Sequence, residues 1–397
     1  LTNKALTKAE LKSEVRRQIE EQRCNLIGLS LNIHDNPELG YKETKASGLL
    51  TGYLAENGFD IEKGVGGFAT AFRATYGDSE PLIALLAEYD ALPEIGHGCG
   101  HNIIAASSVG AAVASKLIVD NFGGSVVVFG TPAEELFGGK VPMLHAGVFK
   151  GVDVAMIVHP GLLDAATNQA LACIGIDVEF FGKAAHAAAY PELGINALEA
   201  MILSFNAINS LRQHISDTAR IHGVITHGGD AANVVPSHSA ASFLVRAQSI
   251  AYLDDLKKKV LNCFEGAALA TGARLNYKWA DVVYEPMKNN LVLAELFTRN
   301  MESLGRKMAA LEAYFGFGST DMGNVSQVIP AIHPSVAVSP PDVLLHSAEF
   351  AAAAASESGH RGMLDAAKAL AMTIVDLLGD PGTMKRVKDE LSGRVQQ

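Results

Sequence analysis

The stretch "PLIALLAEYDALPEIGHGCGHN", residues 81–102, decides how the rest of the chain is read. Its first half is a short apolar run that reads as a buried strand ending near Glu88 to Ala91. Its second half alternates glycine with His97, Cys99 and His101. Next comes "NIIAASSVGAAVASKLIVDN" (102–121), of helical length and with small residues for close packing. The β-branched run "GSVVVFGTPAEE" (124–135) breaks at Gly130 and Pro132, and "VDVAMIVHP" (152–160) reads as another buried strand ending at His159. Strand, helix, strand, helix, strand predicts a layered α/β domain with a mixed, largely parallel sheet. Sites in such sheets gather beyond the carboxyl ends of strands. Asp90, Cys99, His101, Glu134, Glu135 and His159 all follow strand ends.

Further along, the pattern changes. "LACIGIDVEFFG" (171–182), "ARIHGVITHGG" (219–229), "SHSAASFLVRAQ" (237–248) and "ARLNYKWADVV" (273–283) read as strands. Residues 194–215 and 252–272 read as helices between them. The order βαββαβ is the ferredoxin-like, split-βαβ arrangement. It predicts an inserted domain over 171–285, with 1–170 and 286–397 forming one discontinuous domain. A chain of 397 residues is long enough for two cores.

A formal charge of −11 without a basic run argues against a nucleic-acid partner. Cys24, Cys99, Cys173 and Cys263 are too scattered for a disulfide scaffold and are read as reduced thiols of a cytoplasmic protein. The charged N-terminal stretch lacks the apolar core of a signal peptide, and no apolar run approaches the ~20 residues that span a bilayer. "AASSVGAAVASKLIV" (105–119) is expected to be a buried helix.

Three readings of the "GHGCGHN" loop compete. Residues i and i+2 of an extended segment face one way, and thiolate and imidazole suit zinc and similar ions, so Cys99 and His101 form a candidate metal pair. A nucleophilic cysteine would need a base, which usually comes from a distant segment rather than from His97 or His101. A glycine-rich turn with buried polar side chains is the third. Glu134 and Glu135 either cap the following helix or divide labour beside a metal, one ligating and the other moving a proton. His159, at the end of an apolar strand, His346, in a loop, and His186, among small residues, each have an ordinary structural reading as well.

Taken in order, eight motifs resemble one family. They are "HDNPELGYKETKAS" (34–47), "EYDALPEIGHGCGHN" (88–102), "GTPAEE" (130–135), "VHP" (158–160), "GKAAHAAAYPELGINALEA" (182–200), "NVVP" (233–236), "FGSTDMGNVS" (317–326) and "LLHSAEFA" (344–351). The chain resembles the M20 metallopeptidases, in their aminoacylase and amidohydrolase branch. Within it, the likeness is to the group that holds p-aminobenzoyl-glutamate hydrolase and the β-alanyl dipeptidases. The resemblance implies a two-domain enzyme holding two divalent metals, manganese or zinc, with cobalt and nickel as further options. It implies Cys99, His101, Glu135, His159 and His346 as ligands and Glu134 as general base. His186 would act at the reacting centre from the inserted domain, and Asn233 would bind the substrate's carbonyl or carboxylate. Asp90 and His97 are placed behind the ligands. The implied partners are a small amide substrate, such as an N-acyl amino acid, a dipeptide or an aminobenzoyl-amino acid, and a second copy of the chain joined through the inserted domain. An aminohydrolase acting on an arylamine is the alternative. A non-enzymatic binding module is a second, and it predicts loss of the base or the ligands, all of which are present here.

The chain departs from wider M20 patterns twice. Many relatives carry His-x-Asp before the glycine loop, where this chain has Glu88-Tyr89-Asp90, so the first metal is expected to rely on the Cys99–His101 segment. Asn102 stands where others have Asp, which leaves the bridging group open among a water or hydroxide, Glu135 and the Cys99 sulfur.

Overall fold

The computed structural model describes residues 6–310 and 318–393; Phe317, first residue of the 317–326 motif, lies outside them. Its strands are β1 (Asp60–Lys63), β2 (Phe72–Tyr76), β3 (Leu82–Ala87), β4 (Ser125–Gly130), β5 (Val154–Met156), β6 (His159–Gly161), β7 (Ala172–Phe181), β8 (Arg220–His227), β9 (His238–Ala247), β10 (Arg274–Trp279), β11 (Ala331–Ile332) and β12 (Ser335–Ala337). The chain divides into two compact units. One comprises Leu1–Gln169, Met287–Phe315 and Asn324–Gln397; the other comprises Ala170–Pro286 and Gly316–Gly323.

The first unit is built on a six-stranded sheet of order β1-β2-β4-β3-β5-β11. From β4 through β3 and β5 to β11 the pairing is parallel, while β1 and β2 add an antiparallel edge. Ile83 to Ala87 and Val126 to Val128 are completely buried, as expected of strands covered on both faces. The helices Lys8–Glu21, His101–Phe122, Leu291–Ser303 and Glu357–Leu378 contribute to the same core. Close packing there depends on a missing side chain: a Cβ on Gly110 would meet Leu26 Cδ1 at 2.7 Å.

Two details differ from the sequence reading. The helix His101–Phe122 begins earlier than its apolar run and has 22 residues, with a mean hydropathy of 1.6 over its most apolar 18, long and apolar enough to cross a bilayer by composition. Here it is a core helix, 89% buried over its most apolar window. "VDVAMIVHP" is also two strands rather than one. β5 pairs with β11, and β6 then pairs with β12 in a separate two-stranded ladder. Pro334, which has no N–H to give a ladder, lies between β11 and β12 at the step from one ladder to the other.

In the second unit β10-β7-β9-β8 form an antiparallel sheet. Ile174, Ile176, Val178 and Phe180 alternate along β7, matched by Ala241, Phe243 and Val245 on β9. This period-2 face packs on the helices Ala197–Leu211 and Ile250–Thr271 through Met201, Ile208, Leu256 and Phe264. Gly316–Gly323 goes with this unit, outside the 171–285 span expected from the sequence. The tie is visible in two hydrogen bonds: Leu171 N donates to Gly318 O (2.8 Å) and Arg246 donates to Ser319 Oγ (2.7 Å).

Candidate metal centre

In the first unit, the segments after β3, β4 and β5 converge with the loop before the helix Ala348–Ala354. After β3 the chain enters the glycine loop, and Gly100 caps the His101–Phe122 helix in the left-handed region (φ 75°). A Cβ there would lie 2.6 Å from Pro160 Cγ, so only glycine lets Cys99 and His101 close on the segment that carries His159. After β4, Ala133 takes φ 62° without being glycine, a conformation that costs on the order of 1–3 kcal/mol. Its N–H is held by buried Glu43 (2.9 Å), and the turn delivers Glu134 and Glu135. His346 also sits at φ 62°, its N–H donating to Gly98 O (2.9 Å).

Three overlapping groups result, each with its donor atoms within 4.8 Å of one another: Cys99, His101 and His159; Cys99, Glu135 and His346; His101, Glu134 and Glu135. Cys99 Sγ lies 3.3 Å from His159 Nε2, and Glu135 Oε1 lies 3.4 Å from His346 Nε2 and 3.7 Å from His101 Nε2. Asp90 organises this from behind. Its Oδ1 takes the Nδ1 proton of His101 (2.9 Å) and its Oδ2 takes the N–H of Glu135 (3.0 Å). With Nδ1 anchored on Asp90, His101 turns Nε2 inward, where it can exchange a proton for a metal. That nitrogen and Glu135 Oε1 are buried without hydrogen-bond partners. Two such atoms facing each other out of water call for a proton or a cation between them.

The electrostatics show how strongly these groups are coupled. Burial pushes His101 toward the neutral form, yet Asp90 holds its pKa well above the ordinary imidazole value. Glu135 is pushed up by burial but drawn down to about 2 by His346 and His101. Burial and the Glu135 charge push the Cys99 thiol well up, while burial and His101 push His159 down. A nucleophilic thiolate–imidazolium pair needs the reverse of both shifts. Nitrogen, oxygen and sulfur donors at these separations fit a zinc-like or manganese-like ion. As a ligand, Cys99 should resist alkylation while metal is bound and react after chelation, read by mass spectrometry of the labelled thiol. Labelling that ignores metal would remove Cys99 from the ligand set.

The remaining sequence candidates fall elsewhere. His97 points away from the cluster, its Nε2 hydrogen-bonded to Ile33 O (3.1 Å), and burial lowers its pKa to about 3. Asn102 Nδ2 donates to Ser30 Oγ (2.9 Å), and the residue joins none of the three groups. His186 and Asn233 belong to the second unit, where they are neighbours. His186 bridges Val234, and Ala187 N donates to Asn233 O (3.0 Å). His186 is exposed, and its Nδ1 accepts from Ala188 N (3.3 Å) and Ala189 N (3.2 Å), which leaves the ring proton on Nε2.

Sequence reasoning missed two groups. Lys140, fully buried, pairs with Glu88 Oε1 at 2.5 Å. Breaking such a pair from one side costs about 3–5 kcal/mol. His333 is buried with both ring nitrogens unpartnered, its ring 5.5 Å from that of His159. A signal was available: "IVHP" (157–160) and "AIHP" (331–334) are the same apolar-His-Pro ending, and they follow the paired strands β5 and β11.

Comparison with known proteins places the chain in a family. Residues 173–271 match the model of the peptidase dimerisation domain of M20 enzymes. The chain is 37% identical to the Xaa-Arg dipeptidase of Mus musculus, over 98% of this chain and 93% of the relative. It is 30% identical to a p-aminobenzoyl-glutamate hydrolase component of Escherichia coli K12, over 94% and 93%. Among solved structures, it is similar in fold to a dinuclear metal binding M20 peptidase of Bacillus subtilis (20% identity, 91% of this chain and 99% of that one, TM-score 0.69). It is also similar to an aminobenzoyl-glutamate utilization protein of Klebsiella pneumoniae (19% identity, 91% and 98%, TM-score 0.71). The chain therefore belongs to the M20 family of peptidases and amidohydrolases, and it is an enzyme, a hydrolase.

Proposed function

We propose that this enzyme hydrolyses the amide bond of a small substrate, a dipeptide, an N-acyl amino acid or an aminobenzoyl-amino acid, at a centre of two divalent metals. The observation that carries this reading is the buried, unpartnered pair His101 Nε2 and Glu135 Oε1, set among Cys99, His159 and His346. Metals held there by Cys99, His101, Glu135, His159 and His346 would supply Lewis acidity to the scissile carbonyl and acidify water.

The chain's own residues supply the rest. Glu135 faces two imidazoles and is anchored through its N–H by Asp90, which suits a ligand. Its neighbour Glu134 is the base: it takes a proton from the attacking water and returns one to the leaving nitrogen. His186, with its proton on Nε2, donates to the oxyanion of the tetrahedral intermediate. Asn233, beside it, binds the substrate's carbonyl or carboxylate. Two copies pair through the second unit, whose β8 is an edge strand exposed from His222 to Thr226. The four free thiols suit a reducing, cytoplasmic compartment.

The test is a panel of dipeptides, N-acyl amino acids, aminobenzoyl-glutamate and free arylamines, assayed after loading with Mn²⁺ or Zn²⁺. Release of an amino acid or aromatic amine from an amide is the expected result. Ammonia released from an arylamine would replace this reading with the aminohydrolase one. The names of the relatives, a dipeptidase and an aminobenzoyl-glutamate hydrolase, support placing amides first.

A further inference from the structure

From the sequence alone, Glu88 stands outside the expected ligand set. Its surroundings say otherwise. Glu88 and Asp90 are two residues apart at the end of β3, so both carboxylates project to one side. Between them they meet both nitrogens of one ring: Asp90 Oδ1 is 2.9 Å from His101 Nδ1, and Glu88 Oε2 is 3.5 Å from His101 Nε2. All three side chains are buried to 1% exposure or less. Because Asp90 holds the ring by Nδ1, Nε2 is turned toward the Glu88 oxygen. In a tetrahedral site with metal–nitrogen and metal–oxygen distances of about 2.0–2.2 Å, neighbouring donors stand about 3.4 Å apart. The observed 3.5 Å is that separation. The other oxygen, Oε1, is held by Lys140, so the carboxylate is fixed with Oε2 turned toward the ring.

We propose that Glu88 is a further ligand of the metal centre, sharing with His101 Nε2 one of its two cations, and that Lys140 is the positioning residue that aims it. This rests on the reading of the site as a metal centre. A purely structural Glu88 would do no more than neutralise Lys140, and two variants separate the roles. Glu88→Asp keeps the charge but withdraws the carboxylate by one methylene. Glu88→Gln combined with Lys140→Met removes the buried Glu88–Lys140 pair from both sides.

The full chain is stripped of metal by chelation and titrated with Co²⁺ against a chromogenic chelator. Stoichiometry is read by atomic emission, coordination by the visible bands of cobalt, and folding by circular dichroism. Wild type is expected to bind two ions. Each folded variant is expected to bind one of them about 10- to 100-fold more weakly, with altered visible bands, and the other as wild type does. If the double variant does not fold, Glu88→Asp carries the test. Unchanged affinity and bands for both ions in a folded variant would overturn the assignment of Glu88 alone. A wild-type chain that binds no cobalt would overturn the metal-centre reading itself.

Discussion

Glu134→Gln should lower kcat by about 10³–10⁴-fold, the upper range for loss of a positioned general base, while metal content and substrate binding stay near wild type. The amide is isosteric and uncharged, so it fills the same space beside His101 and Glu135 without accepting a proton from water. Glu135 is the internal control. It lies within 3.7 Å of two imidazoles and carries an unpartnered buried oxygen. Glu135→Gln should therefore lose metal together with activity. Parallel measurement of kcat, and of metal by atomic emission, distinguishes the two outcomes. Metal loss in Glu134→Gln would make it a ligand, and near-normal turnover would take it out of the mechanism.

Mixing two dead variants should restore activity if His186 serves a partner's site. His186→Ala lacks the oxyanion donor, and Glu134→Gln lacks the base. In a mixed dimer of a shared-site enzyme, one centre combines an intact Glu134 with an intact His186 and the other lacks both. Random re-association of equal amounts makes half the dimers mixed, so about a quarter of wild-type activity should return. Size-exclusion chromatography with differently tagged protomers verifies that mixed dimers form. Their formation without recovery would place His186 in the service of its own chain. A monomer in sedimentation would end the shared-site reading.

The layered α/β unit and the βαββαβ unit are legible in the sequence because hydrophobic period and β-branching are local properties, and β7 and β9 keep a strict alternation. Cys99 and His101 are legible for the same reason, since a glycine-flanked C-x-H is a local pattern. What stays hidden depends on pairing across distance. Nothing near Glu88 in sequence announces Lys140, since the two partners lie 52 residues apart. His333 repeats the ending of the His159 strand, but the repeat gains meaning only once the parallel pairing of β5 and β11 is known. The split of "VDVAMIVHP" into two ladders is hidden similarly, because the step on the paired side falls at Pro334, remote in sequence from this stretch.

The left-handed Gly100, with Pro160 packed where its side chain would be, decides when the centre takes shape. Contact between backbone and proline ring limits the separation of Cys99 and His101 from His159. A cation arriving at such a centre has little chain to order, so little of its binding free energy is lost to reorganisation. The same stiffness acts as a gauge: an ion whose radius calls for wider donor spacing is resisted by the backbone before donor chemistry discriminates against it.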